Sequence, residues 1–201
     1  MARANVSALR KSALIAATVD QIGKTGSLEV TVSQIARKAG VSSALAHHYF
    51  GSKEQLFLAA MRAVLSEFGN EVRAERSGLV APRDRVDAIV RTCFSPTNFQ
   101  PEVVAAWLNF YVLAQTSDQA HRLLRVYQRR LHSNLLAELR PLAGPDAVQV
   151  AQTVAALIDG FYIRQALRNE SLDATASIGL VTGYLDAILC TTTHHREAQR
   201  A

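Results

Sequence analysis

The chain has 201 residues, 49% of them hydrophobic, with 22 basic and 17 acidic side chains and a formal net charge of +5. That length suits one ordinary domain plus a small one, with ample apolar material for a core. The apolar stretch 13–19 is cut short by Asp20 and Gln21, no signal-cleavage pattern follows, and no run approaches the length of a bilayer span, so the expectation is a soluble, cytoplasmic protein with no membrane partner.

Cys93 and Cys190 lie in apolar helical patterns without a CxxC or histidine-spaced partner. They suit a reducing compartment, with a single disulfide left open. The charge is uneven. Residues 1–53 hold seven basic side chains (Arg3, Arg10, Lys11, Lys24, Arg37, Lys38 and Lys53) against Asp20 and Glu29, and residues 54–201 hold fifteen of each sign. The whole excess therefore sits at the N-terminus, as a phosphate-binding surface requires.

Taken in order, the chain opens with a loose basic arm to about residue 4. A helix over about 7–25 follows, with Leu9, Ala13, Ala16, Ala17, Val19 and Ile22 apolar and Gly26 as its stop. Thr31 and Gln34 have the spacing of a capping box, ahead of Ile35, Ala36 and Ala39 on one helical face. Residues 39–42 read as a turn, in which Gly40 permits a left-handed backbone. Ser42 or Ser43 can cap a second short helix to about Phe50, Gly51 ends it, and Ser52 with Gln55 caps a third. This is the pattern of a helix-turn-helix, whose second helix enters the DNA major groove with its first residues at base edges. A merely structural helical hairpin is the alternative.

The third helix, over about 53–76, carries Leu56, Phe57, Ala60, Met61, Val64, Leu65 and Phe68 on one face. Its rise would carry the chain roughly 30 Å or more away from the head. Five further helices are expected: 82–94 behind Pro82, one from Pro101, 118–139 capped by Asp118 and ended by Pro141 and Gly144, 145–168, and 173–190 capped by Asp173. Residues 191–201 read as a frayed tail, with His194 and His195 solvated rather than metal-binding. There is no strand-like alternation and no internal repeat. The fold class is all-α, with an N-terminal three-helix head (1–52) and a C-terminal helical effector and dimerisation domain (53–201).

The last two helices are apolar around much of their circumference, which requires burial on two sides. The second side is expected to meet a partner subunit through Val154, Phe161, Val181, Leu185 and Ile188 in a homodimer; a fully intrachain core is the alternative. An enzyme with a nucleic-acid head has little support, since HExxH, GxSxG, a phosphate-binding loop and paired CxxC are all absent, and His121 and His132 have no carboxylate at ligand spacing. No cofactor and no metal is expected. An architectural DNA-binding protein without an effector is a further alternative.

Thr31, the block Ile35-Ala36-x-x-Ala39-Gly40-Val41-Ser42, and His48-Tyr49-Phe50-Gly51-Ser52-Lys53 together resemble the Tet repressor family. The resemblance implies a dimeric repressor of a near-palindromic double-stranded operator, released by a small-molecule effector. By residue-wise analogy Ser43, Ala44, Leu45 and His47 face bases, Thr31, His48, Tyr49 and Lys53 face the backbone, and Ser42 caps the reading helix among them. Ala46 stands where the family usually has a larger aliphatic residue, and His47 is unusual at a base-reading position.

In the second half, FQPEVVAAWLNFY (99–111), RLLRVYQRRLHSNLLAELR (122–140) and AALIDGFYIRQAL (155–167) are similar to the choline-responsive branch of that family, which represses glycine betaine synthesis. That implies choline or a related quaternary ammonium as effector, with an apolar or drug-like ligand as the alternative. Such a cation cannot donate a hydrogen bond and is held by aromatic faces with a carboxylate nearby. Trp107, Phe110, Tyr111, Tyr127 and Tyr162 are the aromatic candidates and Asp159 the carboxylate, with Arg164 as an alternative partner for Asp159. Each of these aromatics could equally be plain core. The expected mechanism is that a cation held by Trp107, Tyr111 and Tyr127 changes the spacing of the two heads through the 53–76 helix.

Overall fold

The computed structural model describes residues 2–167 and 173–198, with side chains at 5–167 and 173–191. Among the described residues the elements are helical throughout: α1 (Ala2–Thr25), α2 (Val32–Lys38), α3 (Ser43–Phe50), α4 (Lys53–Arg76), α5 (Pro82–Cys93), α6 (Pro101–Leu113), α7 (Asp118–Ala143), a 3-10 turn (Gly144–Asp146), α8 (Ala147–Ala166) and α9 (Ala174–Ala198). The all-α class and the order of elements are as the sequence implied, and the differences lie at helix ends. α1 begins at Ala2, so the loose arm is absent. α7 passes Pro141 and stops at Ala143, since a proline in the last turn removes only its own hydrogen bond. α9 continues to Ala198 because residues 191–198 contain neither glycine nor proline to stop it. The expected end at Arg168 and residues 199–201 lie outside the described residues, as do the side chains of His194 and His195.

The chain forms two compact units, Met1–Glu67 with Gln100–Leu124, and Phe68–Phe99 with Arg125–Ala201. In the first, α1 packs on α2 and α6, and α2 on α3. Its core joins Leu14, Ala17, Val30, Ile35, Ala36, Ala46 and Leu56. That set joins four helices, α1 to α4, of which α2 and α3 are too short to persist alone and depend on this burial. α1 and α6 meet at backbone distance: a Cβ on Gly23 would lie 2.3 Å from Glu102 Cα. No side chain fits at position 23, which explains a glycine inside an otherwise helical pattern.

In the second unit α9 packs on α5 and α8. Phe94, Phe99 and Tyr162 form an aromatic cluster with ring centroids 5.0 to 6.0 Å apart. The Tyr162 hydroxyl donates to the carbonyls of Cys93 and Asn98. Buried Asn98 in turn donates to Glu71 at 2.6 Å and to the Thr92 carbonyl at 3.0 Å. Burial pushes the Cys93 thiol far up, with the charge of Asp159 adding to it, so Cys93 is an inert core residue. Glu138, also buried, is paired with Arg76 and with Arg85, whose Nε lies 2.9 Å away but is not aligned for a hydrogen bond.

α9 corrects one expectation. Its stretch Ala174–Thr191, of mean hydropathy 1.3, is long and apolar enough to cross a membrane on those two criteria. One side of it packs on its own chain, where Val181 and Leu185 have no exposure and Asp186 pairs with Arg83 at 2.8 Å, and 17% of the stretch is buried.

Candidate nucleic-acid interface and effector site

The reading helix is assembled from local polar locks. Thr31 accepts from Gln34 N at 3.2 Å while Gln34 Oε1 accepts from Thr31 N at 2.7 Å, a complete capping box. Gly40, at φ +68°, turns the chain, and Ser42 Oγ accepts from Leu45 N at 3.2 Å to start α3. Ser52 Oγ accepts from Gln55 N at 3.1 Å to start α4. Ala46 faces inward at 1% exposure, so a small residue there matches a closely packed core.

This leaves Ala44, His47 and His48 exposed, and Ser43, Leu45 and Tyr49 half-buried. Thr31 and Ser42 are exposed with their hydroxyl oxygens engaged as caps. Lys53 is exposed and donates one hydrogen to the Leu28 carbonyl at 2.9 Å, which holds its ammonium beside the head with two donors to spare. His47 Nδ1 lies 2.9 Å from the Gly51 carbonyl.

Two contacts beside this surface, Lys11 with Tyr49 and Asp20 with Lys38, have no counterpart in the sequence pattern. Lys11 of α1 sits 5.3 Å from the centroid of the Tyr49 ring, a cation–π contact that steadies the tyrosine. Asp20 pairs with both Lys24 and Lys38 at 3.0 Å. Lys38, and then Lys24, hold its carboxyl below the usual carboxylate range, and Asp20 in turn raises Lys24. Two of the seven basic residues at 1–53 are therefore already ion-paired. Lys11 and Tyr49 are too far apart in sequence for any periodicity to join them.

The effector candidates fall into two groups. On α6 in the first unit, Trp107 and Phe110 are buried and Tyr111 is half-buried. The Trp107 ring is 5.7 Å from Tyr111, tilted by 36°, and 5.8 Å from Phe110. Phe110 continues to Phe57 at 6.3 Å. In the second unit Tyr127 is buried edge-on against Phe68 at 6.0 Å, Asp159 is half-buried on α8, and Tyr162 belongs to the cluster described above.

The five expected interface residues also divide. Val154, Val181 and Leu185 have no exposure in the single chain and so have no surface to offer a second copy; Phe161 and Ile188 are half-buried. The large apolar side chains exposed on α8 and α9 among the described residues are Val148, Ile163 and Leu180, with Leu167 just past the end of α8. Between these helices lies an open groove of about 700 Å³ lined by Leu157, Phe161, Arg164, Asp173, Ala176 and Leu180.

Comparison with known proteins decides what this arrangement belongs to. Residues 14–60 match the bacterial regulatory proteins of the tetR family, and residues 82–190 match the C-terminal domain of BetI-type transcriptional repressors. The HTH-type transcriptional regulator BetI of Rhizobium meliloti (strain 1021) is 47% identical over 190 residues, 94% of either chain. That of Agrobacterium fabrum (strain C58) is 48% identical over 187 residues, 92% of this chain and 91% of its own.

The chain belongs to the BetI-type repressors of the TetR family. Its BetI relatives are transcription regulators, not enzymes. Solved structures agree with a TetR-type fold at lower identity. A transcriptional regulator from Rhodococcus sp. Rha1 has a TM-score of 0.80 at 21% identity, covering 90% of this chain and 96% of its own. A protein from Saccharomonospora viridis, solved in complex with choline, has a TM-score of 0.79 at 20% identity, covering 88% and 95%.

Proposed function

We propose that this BetI-type repressor binds a near-palindromic operator as a cytoplasmic homodimer and is released by choline or a related quaternary ammonium. The tilted Trp107–Tyr111 pair on α6 carries the effector part of this reading: two aromatic faces one helical turn apart suit a cation that cannot donate a hydrogen bond. The choline complex of the Saccharomonospora viridis protein supports the same ligand class. Phe110 backs the pair, and Tyr127 and Asp159 are the candidates from the second unit. The Tyr162 hydroxyl is committed to the 93–98 turn, which leaves only its ring for a ligand.

In this proposal residues 1–52 bind DNA and residues 53–201 serve effector binding and dimerisation. Ser43, Ala44, Leu45 and His47 face bases; Thr31, His48, Tyr49 and Lys53 face phosphates; Ser42 caps the reading helix. The partner subunit meets the outer α8–α9 face, with Leu180, Phe161 and Ile188 as its apolar part. A ligand shifts the dimer only by binding the DNA-free arrangement better than the DNA-bound one.

The test is an electrophoretic shift on the DNA upstream of the protein's own gene, with and without choline. Release by choline is expected for the native chain. Trp107→Ala should keep operator affinity and lose release. Trp107 is the only tryptophan, so its fluorescence reports choline directly. A signal and a complex both indifferent to choline would remove the choline assignment and leave a repressor of another effector.

A further inference from the structure

His47 lies on the outward face of α3 with Ser43 and Ala44, and its Nδ1 is 2.9 Å from the Gly51 carbonyl. A carbonyl oxygen only accepts, so Nδ1 carries the proton, and the neutral ring then presents Nε2 as a lone pair. The carbonyl is fixed in turn. Gly51 takes φ +77° and ψ −70°, and its N–H donates to the His47 carbonyl at 2.7 Å. Residues 47 and 51 are thus joined by two hydrogen bonds of opposite direction, one through the backbone and one through the ring. The stop of the reading helix therefore also sets which nitrogen of its histidine carries the proton.

The neighbours leave this nitrogen a distinct task. Ala44 and Leu45 have no polar side-chain atom, and the Ser43 hydroxyl can both donate and accept. In the major groove, guanine offers acceptors at N7 and O6 and thymine an acceptor at O4, whereas cytosine N4 and adenine N6 offer donors. A lone pair aimed at the first set meets another lone pair, and aimed at the second it accepts a hydrogen bond. We propose that His47 selects the exocyclic amino group of a cytosine or an adenine at one position in each half-site, with the Gly51 carbonyl orienting its ring. This rests on the operator-binding role of α3 proposed above.

The experiment is selection of binding sites from randomised duplexes with the native chain and with His47→Ala, followed by affinity measurements on duplexes with single amino groups deleted. The expected result is a C or an A at one half-site position for the native chain, and loss of preference at that position alone for His47→Ala. Replacing the selected cytosine by 2-pyrimidinone, or the selected adenine by purine, should then weaken the native chain by about fivefold and His47→Ala hardly at all. The two analogues separate the two sources of the amine. Selection of G or T at the affected position would overturn the proposal, as would an equal loss for both proteins on amine deletion. No preference for any duplex would overturn the operator reading along with it. If His47→Ala fails to fold, the amine-deletion series on the native chain, run across the half-site, decides: a position selected as C or A whose amine can be removed without loss overturns the proposal.

Discussion

The helices of the helix-turn-helix and α8 are held in place by opposite means. α2, α3 and α4 each start on a side-chain cap from Thr31, Ser42 or Ser52. α8 instead emerges from a 3-10 turn with no side-chain cap, and it is held by burial of Val150, Ala151, Val154 and Ile158. A short helix locked through its own backbone needs to bury only one narrow face, here Ala46, and it leaves Ala44, His47 and His48 exposed. A long apolar helix stabilised by burial has no such division. Its inner side belongs to its own chain, and its outer side keeps large apolar side chains exposed, as Ile163 is on α8. Substitutions should therefore act locally in the head and globally in the second unit.

The largest effect expected is from Leu185→Glu, which would place an unpaired charge at a position with no exposure and cost more than about 4 kcal/mol. Circular dichroism should show loss of fold. Leu180→Glu, at a position 61% exposed, should melt close to the native chain and sediment as a monomer. If the two variants behaved alike, the division into inner and outer sides would fail. Next comes Glu138→Ala, which leaves Arg76 and Arg85 without their shared carboxylate and should cost about 3 kcal/mol in denaturant unfolding. Thr31→Ala removes one cap and should cost about 1 kcal/mol. Hydrogen exchange should show that loss confined to α2 and α3, and a loss spread through the second unit would contradict the local picture.

The smallest effect concerns Asp20. Its carboxyl is held below the usual range by Lys38 and Lys24, so the folded chain binds that proton more weakly than the unfolded one. The stabilisation is present at neutral pH and is lost as pH falls through the folded-state value. Asp20→Asn should therefore melt slightly below the native chain at neutral pH, with the gap closing as pH falls below the ordinary carboxylate range.

The caps were legible in the sequence because each depends on residues three apart, as in Thr31 with Gln34, Ser42 with Leu45, and Asp173 with Ala176. Even this rule slipped once: Ser117, not Asp118, caps α7 by accepting from Ala120 N at 3.2 Å, since the helix starts one residue earlier than a cap at the acid would require. Contacts between distant segments left no trace. Nothing in the spacing tied Lys53 to the Leu28 carbonyl, Lys11 to Tyr49, or Asp20 to Lys38. In α8 and α9 the apolar pattern marked both sides of each helix, and only the packing distinguishes inward Val154 and Leu185 from outward Leu180. The aromatics of α6 were evident as a group, yet their order, with Trp107 tilted on Tyr111 and Phe110 running on to Phe57, is a product of packing.

The contact at Gly23 has a mechanical meaning. Where helices touch through long side chains, rotamer changes can absorb a small displacement of one before the other responds. At Gly23 and Glu102 the two backbones touch with no side chain from position 23 between them, so that joint has no slack. α6 carries Trp107 and Tyr111, and α1 braces the helix-turn-helix within the same compact unit. A tilt of α6 of even a fraction of an ångström must be taken up by α1 at once. The helix that carries Trp107 and the DNA-binding head are geared together without backlash.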